Sequence, residues 1–401
     1  MFDKMPETYQ FQSLVPLLYA AEQKSLDGRP TAIGAFNVNF YSQAIGILKG
    51  LKKENAPGIV QASKGANQFQ GGPDKIAYMV EGAIKELGIE DELPICLHLD
   101  HGNAEVAKLC IDKGYSSVMI DASKFDFPNN IAQTKKIVDY AHPKGVSVEG
   151  EYGKLEGVEE DIVAQKTVYA NPERVPEFFK KTGCDALAIA YGTSHGPNKG
   201  ANINKVKTTI ILDCYKKVIK EGLNLKNWLV GHGSSTVPKE LVKEINLYGG
   251  DIRDAQGVPM YILKKGIALG LRKINIDTDL RLGITATVRK YFHDNPRIES
   301  RYPKTLGRIK KAFDGEIQMV AKGKVQDPKT VIDPRGYLGV IDIKLLRNPP
   351  PEKSGLVELM GLIENRIADH VAMLVREFSS ADLAHKVEWI SLEEMAQKYR
   401  I

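Results

Sequence analysis

Cysteine is scarce: only Cys96, Cys110, Cys184 and Cys214 occur in 401 residues, and no two stand in CxxC spacing. A disulfide scaffold and a compact thiolate metal motif are therefore excluded, and reduced, buried thiols are expected, as in a cytoplasmic protein. An HExxH motif is absent too. No apolar run reaches the roughly 18 to 20 residues that a membrane span requires, so no membrane partner is expected. The N-terminal MFDKMPETYQFQSLVPLLYAAEQK carries acidic residues and reads as an amphipathic helix, not a signal peptide. Charge of one sign is also in short supply, since 55 Lys and Arg against 50 Asp and Glu leave a net +5. With no Lys/Arg cluster, that excess suits a basic pocket for a small anion and not a nucleic-acid partner. Neither a biased tract nor a solenoid repeat is present.

What is present is alternation. The length admits one large α/β barrel or two ordinary domains. Short Val/Ile/Ala-rich runs predict eight strands: AIGAFNV (32–38), GIVQAS (58–63), ICLHLDH (95–101), SVMIDAS (117–123), VSVEGEYG (146–153), ALAIAYG (186–192), WLVGHG (228–233) and KINIDTD (273–279). Between them, stretches such as SQAIGILKGLKKE and GPDKIAYMVEGAIKELG repeat apolar residues three or four apart, as on helices with one buried face. The structural alternatives are a doubly wound open sheet and a (β/α)₈ TIM barrel. Polar residues decide between them. They gather at the strand ends: Asn37, Ser63, Asp100 with His101, Asp121, Glu149 with Glu151, His195, His232, Asn275 and Asp277. In a barrel these ends converge on one mouth, whereas an open sheet spreads them along a line. The barrel with its N-terminal helix is expected over 1–292. A C-terminal helical and loop extension, 293–401, is expected to pack on it without forming an independent domain. Within the extension RNPPPEKSG (347–355) reads as a linker, 356–378 as a helix with an apolar face, and SLEEMAQKYR as a short terminal helix.

Of eight histidines, His142, His293, His370 and His385 lack polar company in the sequence and read as surface or structural. His98, mid-strand, is expected to pack or to orient a neighbour. His101, His195 and His232 end three different strands. With Asp100 they suit an open zinc site of three protein ligands and one free position, although structural histidines would give the same spacing. Glu149 and Glu151, two apart on a strand, face one side. Such a pair needs a cation, a raised pKa or a hydrogen-bond network, and both a lysine network and a second metal position remain open. Two glycine-containing loops, GTSHGPNKG (192–200) and HGSSTVPKE (232–240), and NIDTDLR (275–281) offer helix N-termini for phosphate, with Ser235 or Thr236 capping the helix after Pro238 and Asp277 or Thr278 preceding the next. Lys273 is expected to start its strand, at the end of the barrel away from the mouth. No lysine is marked for a Schiff base.

Eight motifs in order, AFNVNFYSQA, APGIVQASKGA, LHLDHG, VMIDAS, VSVEGEYGKLEGVEED, GTSHG, HGSSTVPKE and KINIDTDLRL, resemble the class II, zinc-dependent fructose-bisphosphate aldolases. The resemblance runs from GAFNVN to DPRGYLG, and HGSSTVP followed by EINLYGGDIRDAQGVP is similar to the Calvin-cycle-type subgroup. It implies a ketose-bisphosphate lyase with catalytic Zn²⁺ on His101, His195 and His232. Asp121 and Glu151 match positions for a second cation, divalent or monovalent, or for an alternative position of the first. Asp100 resembles the acid/base on the C4 hydroxyl. Glu160 resembles the loop acid/base on the dihydroxyacetone-phosphate carbon, with Glu159 competing for that role. Asn37, Ser63, Gly196, Gly233, Ser234, Ser235, Asn275, Ile276, Asp277 and Thr278 match substrate contacts. Arg335 matches an arginine reaching the distal phosphate of a neighbouring subunit's substrate, which implies a homodimer or a higher homo-oligomer. Fructose 1,6-bisphosphate is the expected substrate, with sedoheptulose 1,7- and tagatose 1,6-bisphosphate as alternatives. Co²⁺ or Fe²⁺ also suits three histidines. Two other classes compete. A zinc hydrolase on the same barrel leaves NIDTD and Glu160 unexplained, and a non-catalytic sugar-phosphate binder would have no need of Asp100 or Glu160.

Overall fold

Eight parallel strands close into a barrel in the computed structural model: β1 (Ile33–Asn37), β2 (Gly58–Ser63), β3 (Ile95–Gly102), β4 (Ser117–Ile120), β5 (Ser147–Tyr152), β6 (Ala186–Ile189), β7 (Trp228–Gly231) and β8 (Leu271–Ile276). They stand in chain order around the barrel, and β8 pairs back onto β1 with Ile33 opposite Lys273 and Ala35 opposite Asn275. The structure describes residues 9–154, 157–159, 162–164, 167–194, 196, 200–253, 255–321, 323–347 and 355–400. The eight expected runs are all strands, and the closed barrel replaces the open-sheet alternative.

Strand side chains alternate between the barrel interior and the helical layer, so the interior is built in levels. At its base Ile33, Ala35, Ile59, Cys96, Trp228 and Val230 form one buried cluster with Leu14, Leu17 and Leu18 of the helix Leu14–Leu26. That N-terminal helix plugs the bottom of the barrel. Each buried leucine contributes roughly 1.5–3 kcal/mol relative to exposure. All four cysteines are free and buried, and burial pushes the thiols of Cys96 and Cys184 up to about 12, where they are inert at neutral pH.

The C-terminal helix Leu356–Glu377 lies across the helix Tyr41–Lys53, and two glycines make the approach possible. A Cβ on Gly46 would stand 2.8 Å from Ile367 Cβ, and one on Gly50 would stand 2.7 Å from the Ala368 carbonyl. Leu359, Ile363, Ile367 and Val371 thereby join the same buried cluster as Phe36 and Leu48. The terminal helix Leu392–Lys398 begins with a capping box between Ser391 and Glu394. Residues 348–354, which carry most of the expected linker, lie outside the described residues.

Three expectations need correction. Lys273 is the third residue of β8, not the first, and its ammonium is fully buried inside the barrel, not at the far end. His142 and His370 have polar company from distant segments: His142 Nε2 lies 3.0 Å from Asp185 Oδ2, and His370 Nε2 lies 3.5 Å from Asp279 Oδ2. The helix after Pro238 has no side-chain cap, because Ser235 and Thr236 are engaged elsewhere.

Candidate metal and catalytic site

Consecutive strand residues point to opposite faces, yet Asp100 and His101 both enter the mouth. The reason is local. The β3–β4 register shifts between Leu99 and Gly102, and His101 adopts φ 50°. A left-handed residue at a bulge turns its side chain back toward the interior, and such strain in a non-glycine residue is commonly held at functional sites.

His101 and His232 then meet edge to face, with Nε2 of the first 2.9 Å from Nδ1 of the second. Each ring uses its other nitrogen on a carboxylate. His101 Nδ1 is 3.1 Å from Asp121 Oδ2, and His232 Nε2 is 2.7 Å from Glu149 Oε1. Asn275 Nδ2 also approaches His232 Nε2 at 3.3 Å, but the shorter contact to a charged carboxylate sets the tautomer. A carboxylate takes the ring N–H and leaves a lone pair on the opposite nitrogen. Two lone pairs then face each other across 2.9 Å, an arrangement that a cation stabilises and that two neutral rings alone do not.

Burial lowers the His232 pKa, more than its Glu149 contact raises it, so the ring is neutral and able to ligate at neutral pH. Burial would push the Asp121 carboxyl up, but hydrogen bonding, first from His101 and then from Ser123, outweighs it and holds the group well below the ordinary carboxylate range. Among the described residues, two groups have donor atoms close enough to share an ion: Asp100 with His101 and His232, and His101 with Asp121 and Glu151. The donor set of imidazoles and carboxylates suits a zinc-like ion.

Asp100 is oriented by two side-chain amides. Asn37 Nδ2 donates to Oδ2 at 2.7 Å and Asn275 Nδ2 donates to Oδ1 at 3.1 Å. Neither amide is free to flip, since Gln61 donates to Asn37 Oδ1 and Lys273 donates to Asn275 Oδ1. Lys273 also reaches Glu149 Oε2 at 2.9 Å. One buried ammonium thus supports both the carboxylate behind His232 and the amide beside Asp100. Burial alone would raise the Glu149 pKa, but Lys273 and His232 hold it far below the ordinary range, so the carboxylate stays ionised. Sequence reasoning missed Lys273, and the period-two spacing Lys273-x-Asn275 was the signal that places both on the interior face. His98 fills the same level, with Nδ1 2.8 Å from Ser117 Oγ and Nε2 3.6 Å from Glu149 Oε2, and thus orients a neighbour.

The loops above β6, β7 and β8 lock together. Gly233 has φ 60°, and a Cβ there would stand 2.7 Å from the Ser194 carbonyl, so only glycine fits. Thr193 Oγ1 donates to the His232 carbonyl at 2.7 Å. Ser234 turns its hydroxyl to the Gly231 carbonyl, leaving its backbone toward the loop. Ser235 does not cap its own helix. Its Oγ accepts from the N–H groups of Asp277 and Thr278, at 3.2 and 3.1 Å, at the N-terminus of the helix Thr278–Asp294. Its proton remains available to an anion there.

Of the remaining expected residues, Ser63 ends β2 and caps the following helix through Ala66 N–H. Ile276 ends β8, fully buried, and Gly196 has a left-handed φ of 88°. Asp121, His232 and Asp277 lie one residue past their strands, not within them. Asp277 pairs with Arg281, which also binds Asp333, and Asp333 in turn holds Arg335. Arg335 is therefore buried in an ion network connected to the mouth, not in the histidine cluster. His195, Glu160 and the Glu159 side chain lie outside the described residues.

Comparison with known proteins agrees in sequence and in fold. The family model described as fructose-bisphosphate aldolase class-II matches residues 17–335. A fructose-bisphosphate aldolase of Giardia intestinalis is 42% identical over 266 residues, covering 66% of this chain and 79% of the relative. One from Thermus caldophilus is 36% identical over 297 residues, covering 73% and 92%. Among solved structures, the YdjI aldolase from Escherichia coli K12 superposes with a TM-score of 0.58 at 20% identity over 92% of this chain and 98% of that one. The fructose-bisphosphate aldolase of Campylobacter jejuni gives 0.58 at 18% identity over 95% and 98%. These superpositions describe the fold alone.

Proposed function

Because the chain belongs to the class-II fructose-bisphosphate aldolase family, whose members depend on a metal ion, we infer that it reversibly cleaves fructose 1,6-bisphosphate into dihydroxyacetone phosphate and glyceraldehyde 3-phosphate, with zinc as the ion. The ligands assigned to it are His101, His195 and His232. The observation that carries this reading is the pair of facing imidazole nitrogens, each backed by a carboxylate, beside Asp100 at the barrel mouth. Zinc held there would act as a Lewis acid on the ketose carbonyl and stabilise charge developing as the C3–C4 bond breaks.

Asp100 takes the proton of the C4 hydroxyl as that bond breaks, and the amides of Asn37 and Asn275 keep its oxygens aimed. Glu160, or Glu159, returns a proton to the former C3 of the ketose, which becomes the hydroxymethyl carbon of dihydroxyacetone phosphate. Gly196, Gly233, Ser234, Ser235, Asn275, Ile276, Asp277 and Thr278 hold the dihydroxyacetone-phosphate half, and Ser63 adds a further contact. Binding energy from the two phosphates fixes the reacting bond in register. Asp121 and Glu151, which share His101 with the first group, hold a second cation or an alternative position of the first. Arg335 is assigned to the distal phosphate of a neighbouring subunit's substrate, within a homodimer or larger homo-oligomer, and the cytoplasm is the proposed compartment. Among the described residues no helix is long and apolar enough to cross a membrane.

Turnover of fructose 1,6-, sedoheptulose 1,7- and tagatose 1,6-bisphosphate, measured by release of dihydroxyacetone phosphate, tests the substrate assignment. The highest kcat/KM is expected for fructose 1,6-bisphosphate. A higher value for either competitor would reassign the substrate while leaving the reaction class intact.

A further inference from the structure

The C-terminal helix Leu356–Glu377 lies beyond the residues that match the family model, yet one of its side chains reaches the loop that carries Gly233, Ser234 and Ser235. The path has one intermediary. Asp279, fully buried in the first turn of the helix Thr278–Asp294, accepts three hydrogen bonds: from Thr236 N–H at 2.9 Å, from Thr236 Oγ1 at 2.8 Å and from Val237 N–H at 2.7 Å. Val237 needs such a clamp. It sits at φ 49°, a region that a β-branched side chain strongly disfavours. Behind the clamp stands His370, whose Nε2 is shielded from solvent and faces Asp279 Oδ2 at 3.5 Å, a polar contact longer than an ordinary hydrogen bond. The imidazole borders a cleft of about 650 Å³ between the helices Lys239–Leu247, Thr278–Asp294 and Leu356–Glu377.

We propose that His370 is a positioning residue for the aldol reaction: through Asp279 it holds the Thr236–Val237 corner, and so fixes Ser235 and the backbone of Gly233 and Ser234 where they meet the substrate phosphate. The proposal rests on the assignment of that loop to phosphate. His232, four residues upstream of the corner, is fastened separately by Glu149 and by Thr193. Loosening the corner should therefore disturb phosphate binding and leave the metal centre in place.

The test compares His370→Ala and His370→Gln with a Ser235→Ala reference, all in the full-length holoenzyme. KM, kcat, zinc content, Tm and inhibition by inorganic phosphate are measured. His370→Ala is expected to raise KM for fructose 1,6-bisphosphate, and to weaken phosphate inhibition, by about three- to tenfold, within the range for residues that couple to a site without touching its ligand. Zinc content should stay at the unsubstituted level and kcat within about twofold, below the coupling range. His370→Gln, which restores a donor toward Asp279, should recover most of the KM. An unchanged KM in His370→Ala while Ser235→Ala raises it would overturn the role of His370 alone. If neither variant moves KM, the assignment of the loop to phosphate fails. Parallel loss of kcat, zinc and Tm in both His370 variants would make the residue merely structural and would also overturn the proposal.

Discussion

Replacing His101 with alanine is expected to strip the bound metal and to abolish cleavage of fructose 1,6-bisphosphate. The ring supplies Nε2 to the facing pair and also belongs to the second cation group with Asp121 and Glu151, so no other described side chain touches both. Loss of several kcal/mol of Lewis-acid stabilisation, at 1.36 kcal/mol per decade, corresponds to a fall on the order of 10⁴-fold in kcat/KM. Alanine is disfavoured at the left-handed φ of 50°. His101→Asn, which tolerates that region, separates loss of the ligand from a backbone effect, and both variants should lose metal alike. One step outward the effect should shrink: Glu149→Gln weakens the orientation of His232 and is expected to cost about 10- to 100-fold in metal affinity. Metal content by elemental analysis, with kinetics on the same samples, checks both statements. A His101→Ala protein that retains stoichiometric metal and full activity would remove the proposed centre.

Asp100→Ala is expected to divide the functions differently. The histidines remain, so zinc should stay bound and KM should change little. The rate should fall by roughly two to four orders of magnitude, the usual contribution of a general acid–base group. Asn37 and Asn275 would keep their orientations, because Gln61 and Lys273 set them independently of Asp100. The lost quantity is thus a proton acceptor and not a collapsed pocket. Near-normal kcat in the zinc-loaded variant would end the assignment of Asp100 as the C4-hydroxyl base.

Much of this architecture was legible in the sequence because the relevant signals are local. Short Val/Ile/Ala-rich runs announced all eight strands, and the polar residues closing them pointed to one mouth. What the sequence left hidden depends on chain segments meeting from afar. The left-handed turn at His101 is set by a register shift against β4, which no window around LHLDHG reveals. Lys273 was misplaced because the strand begins two residues earlier, at Leu271, which moves the ammonium into the barrel beneath the mouth. Ser235 satisfies the next helix and not its own, since the loops above β7 and β8 pack side by side. His370 and His142 had no visible partners because Asp279 and Asp185 come to them only through tertiary packing. The glycines at 46 and 50 looked like ordinary helix residues until the C-terminal helix was laid across them.

The most direct test of the account is cleavage of fructose 1,6-bisphosphate by the purified full-length protein before and after EDTA treatment, followed by titration with zinc. Activity abolished by the chelator and restored as one zinc per chain binds is the predicted result. Full activity in protein shown by elemental analysis to be metal-free would contradict it.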